Sequence, residues 1–232
     1  MSGYDAFLRE LEDLKADVCR ETYCRHRDRI KVKNEEVAVG RLAAIFEHAL
    51  EISNDMGFQA MSVRDLSERT GISMGALYSY IESKEMLLDM ILCQVRVAVE
   101  RALALPEAAQ NPRQRLRWLL RRHLYLSEAM QGWFYFSYME SRHFEKEARE
   151  RAIAGELRTE KLFIDCLKAG IEQGVFRPRD PELTAALIKP LLQEWYLKRW
   201  KYRRRGLKVD AYADAVTEFI EAAVLMPTAC QQ

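Results

Sequence analysis

The chain has 232 residues, 36 Lys+Arg against 35 Asp+Glu, and an apolar fraction of 49%. That balance excludes a polybasic nucleic-acid coat, and the length supports a sizeable core in one body or in a small head on a larger one. The N-terminal stretch carries acids from its fifth residue, and no stretch of ~18 residues runs free of charge, so neither a secretion signal nor a membrane partner is expected.

Spacing is helical almost throughout, with 10 Gly and 6 Pro as punctuation, and the expected fold class is all-α. Phe7, Leu8, Leu11, Leu14 and Val18 recur at three and four residues, the stripe of a short amphipathic helix. The basic run Arg20–Lys33 that follows reads as a solvated linker in preference to a DNA-touching arm. From Glu35 the pattern resumes through Leu42, Ile45, Phe46, Ala49, Ile52 and Met56, with Gly57 as a stop. Ser62 and Asp65 form a capping box for a short helix that Gly71-Ile72-Ser73 ends. A second short helix runs from Ser73 to about Ile81. Ser83 then opens a long one, apolar at Leu87, Ile91, Val95, Ala98 and Ala102 and closed by Pro106. Further helices are expected over 112–129, 132–141, 145–170, 181–204 and 209–225. The chain divides into an N-terminal extension over 1–34, a head over 35–84 and a body over 85–232, head and body sharing the long helix.

Two short helices joined by a tight Gly-containing turn fit either an ordinary helical hairpin or a helix-turn-helix packed on the helix before them. Composition favours the second. Met74-Gly75-Ala76-Leu77-Tyr78-Ser79-Tyr80 carries small, hydroxylated and aromatic residues where a plain surface helix would carry Glu and Lys. Over about Arg41 to Ile91 the chain resembles the TetR family of bacterial repressors, in its Gly71-Ile72-Ser73 turn, its Leu77-Tyr78-Ser79-Tyr80-Ile81 core and its Ser83-Lys84 pair. Ile81 stands where Phe is commoner in that family.

The resemblance implies a ligand-responsive repressor that binds a pseudo-palindromic double-stranded DNA operator as a homodimer. On these positions it implies base-edge contact by Arg64, apolar and backbone contact by Met74, Gly75 and Ala76, and phosphate or base contact by Tyr78 and Tyr80, one of which could instead be buried. Lys84, with the Ser62 and Ser73 hydroxyls, is expected on phosphates. Residues 1–84 carry twelve Lys+Arg against fifteen Asp+Glu, so the recognition surface should be a strip.

Aromatics are dense from Trp118 to Phe144, and the resemblance implies an effector pocket in the body. The expected wall is Trp118, Arg122, Tyr125, Trp133, Tyr138, Met139 and Arg142, for a small apolar molecule such as a fatty-acyl chain or its coenzyme A thioester. Seven basic residues and no acid lie between Lys198 and Lys208, where Trp195, Arg199 and Arg203 are the candidate cradle for a thioester's phosphates. The stripes Leu187, Leu191, Trp195 and Tyr212, Val216, Phe219, Ile220, Ala223 are the candidate dimer interface, and Pro190 should kink the first of their helices.

The five cysteines, Cys19, Cys24, Cys93, Cys166 and Cys230, form no CxxC pair, so reduced thiols in a cytoplasmic protein are expected, with no cofactor and no metal. His26, His48, His123 and His143 sit apart from any nucleophile, and no enzyme is expected. The alternative is an all-α lipid-binding or scaffold protein without DNA binding, which leaves the helix-turn-helix pattern unexplained.

Overall fold

The computed structural model describes residues 3–104 and 111–227. Among them the regular structure is helical apart from one isolated antiparallel bridge, Phe176 to Leu225. The helices are α1 (Tyr4–His26), α2 (Glu35–Met56), α3 (Val63–Thr70), α4 (Met74–Leu77), α5 (Lys84–Ala102), α6 (Pro112–Ala129), α7 (Gln131–Met139), α8 (Lys146–Glu172), α9 (Pro181–Leu197), α10 (Arg199–Arg204) and α11 (Val209–Val224). The helix expected over 181–204 is divided: Lys198 leaves helical geometry, and Lys198 at the break and Lys201 beyond it both pair with Glu194. Helix α9 runs through Pro190, which has no N–H to give the helix ladder. Pro106 and Cys230 lie outside the described residues. Cys19, Cys93 and Cys166 are buried and Cys24 is exposed, all four as free thiols. Burial pushes the Cys19 thiol up to about 11 and the Cys166 thiol up to about 12.

One compact unit comprises Leu8–Arg101 and Met130–Ala154. The division expected at residues 84 and 85 therefore differs from the packing, because nearly all of α5, all of α7 and the start of α8 belong with the head. Aromatic contact is the physical reason. Phe58 meets the Phe136 ring edge-on at 5.6 Å, Phe136 meets Phe144 at 5.9 Å, and Trp133 sets its edge on Phe46 at 6.0 Å. Phe136, Phe144 and Ala148 join Ile45, Phe46, Phe58, Leu66, Leu77 and Met86 in one buried cluster. Each fully buried side chain of this size contributes ~1.5–3 kcal/mol relative to leaving it in water.

The N-terminal extension is a further correction. The run expected to be a linker continues α1 as far as His26, and the cluster includes Cys19, Tyr23 and Ile30. Tyr23 donates its hydroxyl to the carbonyls of Val32 and Lys33, which anchors the chain entering α2. Arg101 donates to Asp17 and Glu21, fastening α1 to α5. Basic residues dominate the run's composition, but its apolar residues decide where it packs.

The second unit comprises the chain up to Phe7, Ala102–Ala129 and the chain from Gly155 onward. Helix α6 packs against α9 and α11, and Leu116, Leu119, Leu120 and Leu124 of α6 are buried, as are Ile188, Leu192, Trp195, Ala213, Val216 and Ile220 of the other two. Two buried charges are held by partners: Glu221 takes the guanidinium groups of Arg113 and Arg117, and Lys189 pairs with Glu156 at 3.2 Å. Gly170 is obligatory by contact. A Cβ there would stand 1.9 Å from the ring of Phe176, far inside contact distance.

Candidate DNA-reading surface

Helix α3 starts because Ser62 accepts the N–H of Asp65 while Asp65 accepts the N–H of Ser62 at 2.7 Å. Hydrogen bonds from the Ser62 hydroxyl and then its backbone hold the Asp65 carboxyl below the usual carboxylate range. It ends at Gly71, whose φ of +68° is a left-handed cap that glycine adopts without a side-chain penalty. Ser73 then caps α4 by accepting the N–H of Ala76 at 3.3 Å, and backbone bonds carry the helical turn on through Ile81. Leu66 and Leu77 point into the core beneath, so two helices too short to stand alone are held by α2 and by each other.

What faces water on α4 is the face expected to read DNA. Gly75 and Ala76 are exposed, Met74 is 42% exposed and Tyr78 41%. Tyr80 is a correction: at 8% exposure its ring belongs to the buried cluster, which resolves the two-tyrosine alternative in favour of Tyr78 as the outward one. Arg64 is exposed and, among the described residues, pairs with Glu68 alone, an i,i+4 contact at 3.1 Å. Such surface pairs hold by ~0.3–0.5 kcal/mol, so the guanidinium is free to exchange partners. The Ser62 hydroxyl is engaged with Asp65, and Lys84 donates one N–H to the Gln59 carbonyl at 3.0 Å while lying over the Phe58 ring. Two ammonium protons of Lys84 remain for a phosphate. Helical periodicity gave no hint of the neighbour of this surface: Lys31, in the supposed linker, donates its backbone N–H to the carbonyl of Ser79 at 3.0 Å. Ile30 and Tyr23, apolar residues inside a basic run, were the signal.

The family model for bacterial regulatory proteins of the tetR family matches residues 45–91, and that for a tetracyclin repressor-like C-terminal domain matches residues 109–224, half of the chain. The chain belongs to the TetR family of bacterial transcriptional regulators. It is 29% identical over 183 residues to the HTH-type transcriptional repressor KstR2 of Mycobacterium tuberculosis, covering 72% of this chain and 83% of that one. A tetR-family regulatory protein from Rhodococcus RHA1 superposes with a TM-score of 0.72 at 22% identity, over 81% of this chain and 98% of that one. AibR, solved in complex with isovaleryl coenzyme A and operator DNA, superposes with a TM-score of 0.66 at 23% identity, over 77% and 97%.

The residues expected around an effector fall in both compact units of this TetR-family regulator. Trp133, Tyr138, Met139 and Arg142 belong to the unit that holds the DNA-reading helices, whereas Trp118, Arg122, Tyr125, Trp195, Arg199 and Arg203 belong to the other. Several are already committed. Trp133 packs on Phe46, and Arg142 donates to the ring of its neighbour His143. Tyr125 donates to Asp210, and Arg122 donates to the Ala102 carbonyl while lying between the rings of Phe7 and Trp118. Arg199, expected in a phosphate cradle, holds both oxygens of Glu128 and covers the ring of Trp195. Of the seven basic residues at this helix end, Arg203, Arg204, Arg205 and Lys208 face solvent without a carboxylate partner among the described residues.

The candidate dimer residues also divide. Leu187 and Phe219 are 65% and 66% exposed, and Ala223 is exposed. Trp195, Tyr212, Val216 and Ile220 are buried in the unit itself, where Trp195 stacks on Tyr202 and meets the tilted ring of Tyr212, and the Tyr212 hydroxyl donates to the Leu191 carbonyl. The reason is packing phase: on α11 one stripe meets α6 while the stripe of Phe219 and Ala223 is left facing out. No helix among the described residues is long and apolar enough to cross a membrane.

Proposed function

We propose that this TetR-family regulator is a ligand-responsive repressor that binds a pseudo-palindromic operator as a homodimer and releases it when a small apolar effector binds. The observation that carries the reading is the exposed Met74-Gly75-Ala76-Tyr78 face, held rigidly by two side-chain caps and a left-handed glycine. A face of small and aromatic groups fits closely against a major groove and touches thymine methyls, while Arg64 supplies a fork for guanine. Helices α9 and α11 expose Leu183, Leu187 and Phe219, an apolar surface that supports pairing with a second copy. Two copies would place their recognition helices ~34–36 Å apart on successive turns of the duplex.

The leading effector is a fatty-acyl chain or its coenzyme A thioester. AibR, which shares this fold, is bound to isovaleryl coenzyme A, and here Arg203, Arg204 and Arg205 are exposed without a carboxylate partner among the described residues, Arg204 lying over the exposed ring of Trp200 at 5.4 Å. Tenfold release from DNA requires ~1.4 kcal/mol of coupling, which about two methylenes buried in only one state would supply. The test is a gel-shift titration of the protein on DNA from upstream of its own gene, with a free fatty acid and its coenzyme A thioester added in turn. Binding that either ligand relieves is the expected result. Absence of any shifted complex would reject the DNA-binding reading, and a complex unaffected by both ligands would reject the effector.

A further inference from the structure

We propose that the segment Arg27–Lys33 is a second DNA-contacting element, which takes phosphates of the duplex backbone beside the groove that α4 reads; this rests on the operator-binding reading above. The helix-turn-helix needs such an element. From Ser62 to Lys84 it carries three cations, Arg64, Arg69 and Lys84, against three acids, Asp65, Glu68 and Glu82. Each of the three cations has a protein partner: Glu68, Asp55 and the Gln59 carbonyl. With cations and acids in balance, this stretch has little net charge to release the counterions of DNA, which is where sequence-independent affinity comes from. From Arg27 to Lys33 the chain has four cations, Arg27, Arg29, Lys31 and Lys33, and one acid, Asp28.

The backbone of this segment is fixed at both ends and in the middle. Ile30 is fully buried, the Tyr23 hydroxyl holds the carbonyls of Val32 and Lys33, and Lys33 folds back onto the carbonyls of Arg27 at 2.9 Å and Ile30 at 2.7 Å. The Lys31 N–H bond to Ser79 joins the segment directly to the turn that ends the recognition helix, and Arg29 reaches Glu82 at 2.9 Å. The charged tips of Arg29 and Lys33 are thus held by the protein, and those of Arg27 and Lys31 are not. All four side chains are on exposed residues, and those of Arg27 and Lys31 make no hydrogen bond or ion pair among the described residues. An anchored backbone carrying unpaired cations next to a groove-reading helix is positioned to hold phosphates at low entropic cost.

The experiment measures binding of the full chain to its own upstream DNA and to a scrambled duplex of equal length across a salt series, for the wild type, the pair R27A/K31A and the charge-keeping pair R27K/K31R. The alanine pair should bind both duplexes more weakly. Its log-log salt slope should be shallower by about 0.9 for each phosphate no longer neutralised, with the ratio between the two duplexes unchanged and R27K/K31R close to wild type. Identical slopes for wild type and R27A/K31A would overturn the proposal while leaving operator binding intact. A wild type that holds neither duplex would overturn both. A changed ratio between duplexes would show base reading rather than phosphate binding and would also overturn it.

Discussion

Glu140 accepts the backbone N–H of Phe58 at 3.1 Å, joining the end of α7 to the loop after α2 across 82 positions of sequence. The bond matters because Phe58 is buried, and a buried N–H left without an acceptor costs ~1–3 kcal/mol. Glu140→Ala should therefore lower stability by about 1–2 kcal/mol. Denaturant unfolding followed by helicity provides the measurement, and an unchanged midpoint would show that α7 is not part of what stabilises the DNA-reading unit.

Tyr78 and Tyr80 lie two positions apart and should respond in opposite ways. Tyr80→Ala removes a ring from the core and should cost ~3–5 kcal/mol, as truncation of a buried aromatic does. Tyr78→Ala removes an outward ring and should change stability by less than ~0.5 kcal/mol while weakening operator binding at least tenfold. A melting curve and a gel shift on each variant separate the two roles. Equal loss of binding by two folded variants would mean that α4 is not the reading helix.

The helix-turn-helix was legible because its signals are local: Ser62 and Asp65 at capping distance, Gly71 where φ must be positive, Ser73 opening the next helix. The all-α class followed from spacing for the same reason. What was not legible depends on contacts distant in sequence. Tyr80 and Tyr78 are chemically alike, and only the packing phase over the core separates them. Nothing local to Arg199 shows that Glu128, 71 positions away, holds it, and nothing local to Trp133, one of the expected wall residues, shows that its ring packs on Phe46. The basic run misled by composition, since its buried apolar residues Tyr23 and Ile30 fix where it packs.

Glu221 predicts a pH dependence with a defined sign. Burial alone would raise its pKa, but hydrogen bonds and charge from Arg117 and Arg113 outweigh burial and bring it from the ordinary 4.5 to about 2. A carboxylate whose folded pKa is depressed stabilises the fold above its unfolded value, and that stability is lost as pH falls through the folded value. Wild type should therefore melt above Glu221→Gln at neutral pH, with the gap constant down to about pH 4.5 and closing toward pH 2. Melting curves of both proteins over that range provide the test, and a gap independent of pH would show that the two arginines do not stabilise the charged form.

Phe219 stands outward on α11, one turn from Ala215 and Ala223 on the same side, in the stripe that the packing of α11 on α6 leaves uncovered. An aromatic ring two-thirds exposed gains by burial against a second copy, and Leu187 on α9 is exposed to the same degree. Phe219→Glu places a charge where two copies would meet across a two-fold axis, so each glutamate would face its own symmetry mate in a desolvated interface. The substitution leaves the interior untouched, and the melting temperature of the isolated chain should change little. Sedimentation at micromolar concentration should show a dimer for wild type and a 27.1 kDa species for the variant. Operator affinity should fall with it, because a single head holds one half-site and lacks the second head that the dimer brings at high effective concentration. A variant that remains dimeric and binds the operator as wild type does would move the interface away from α11.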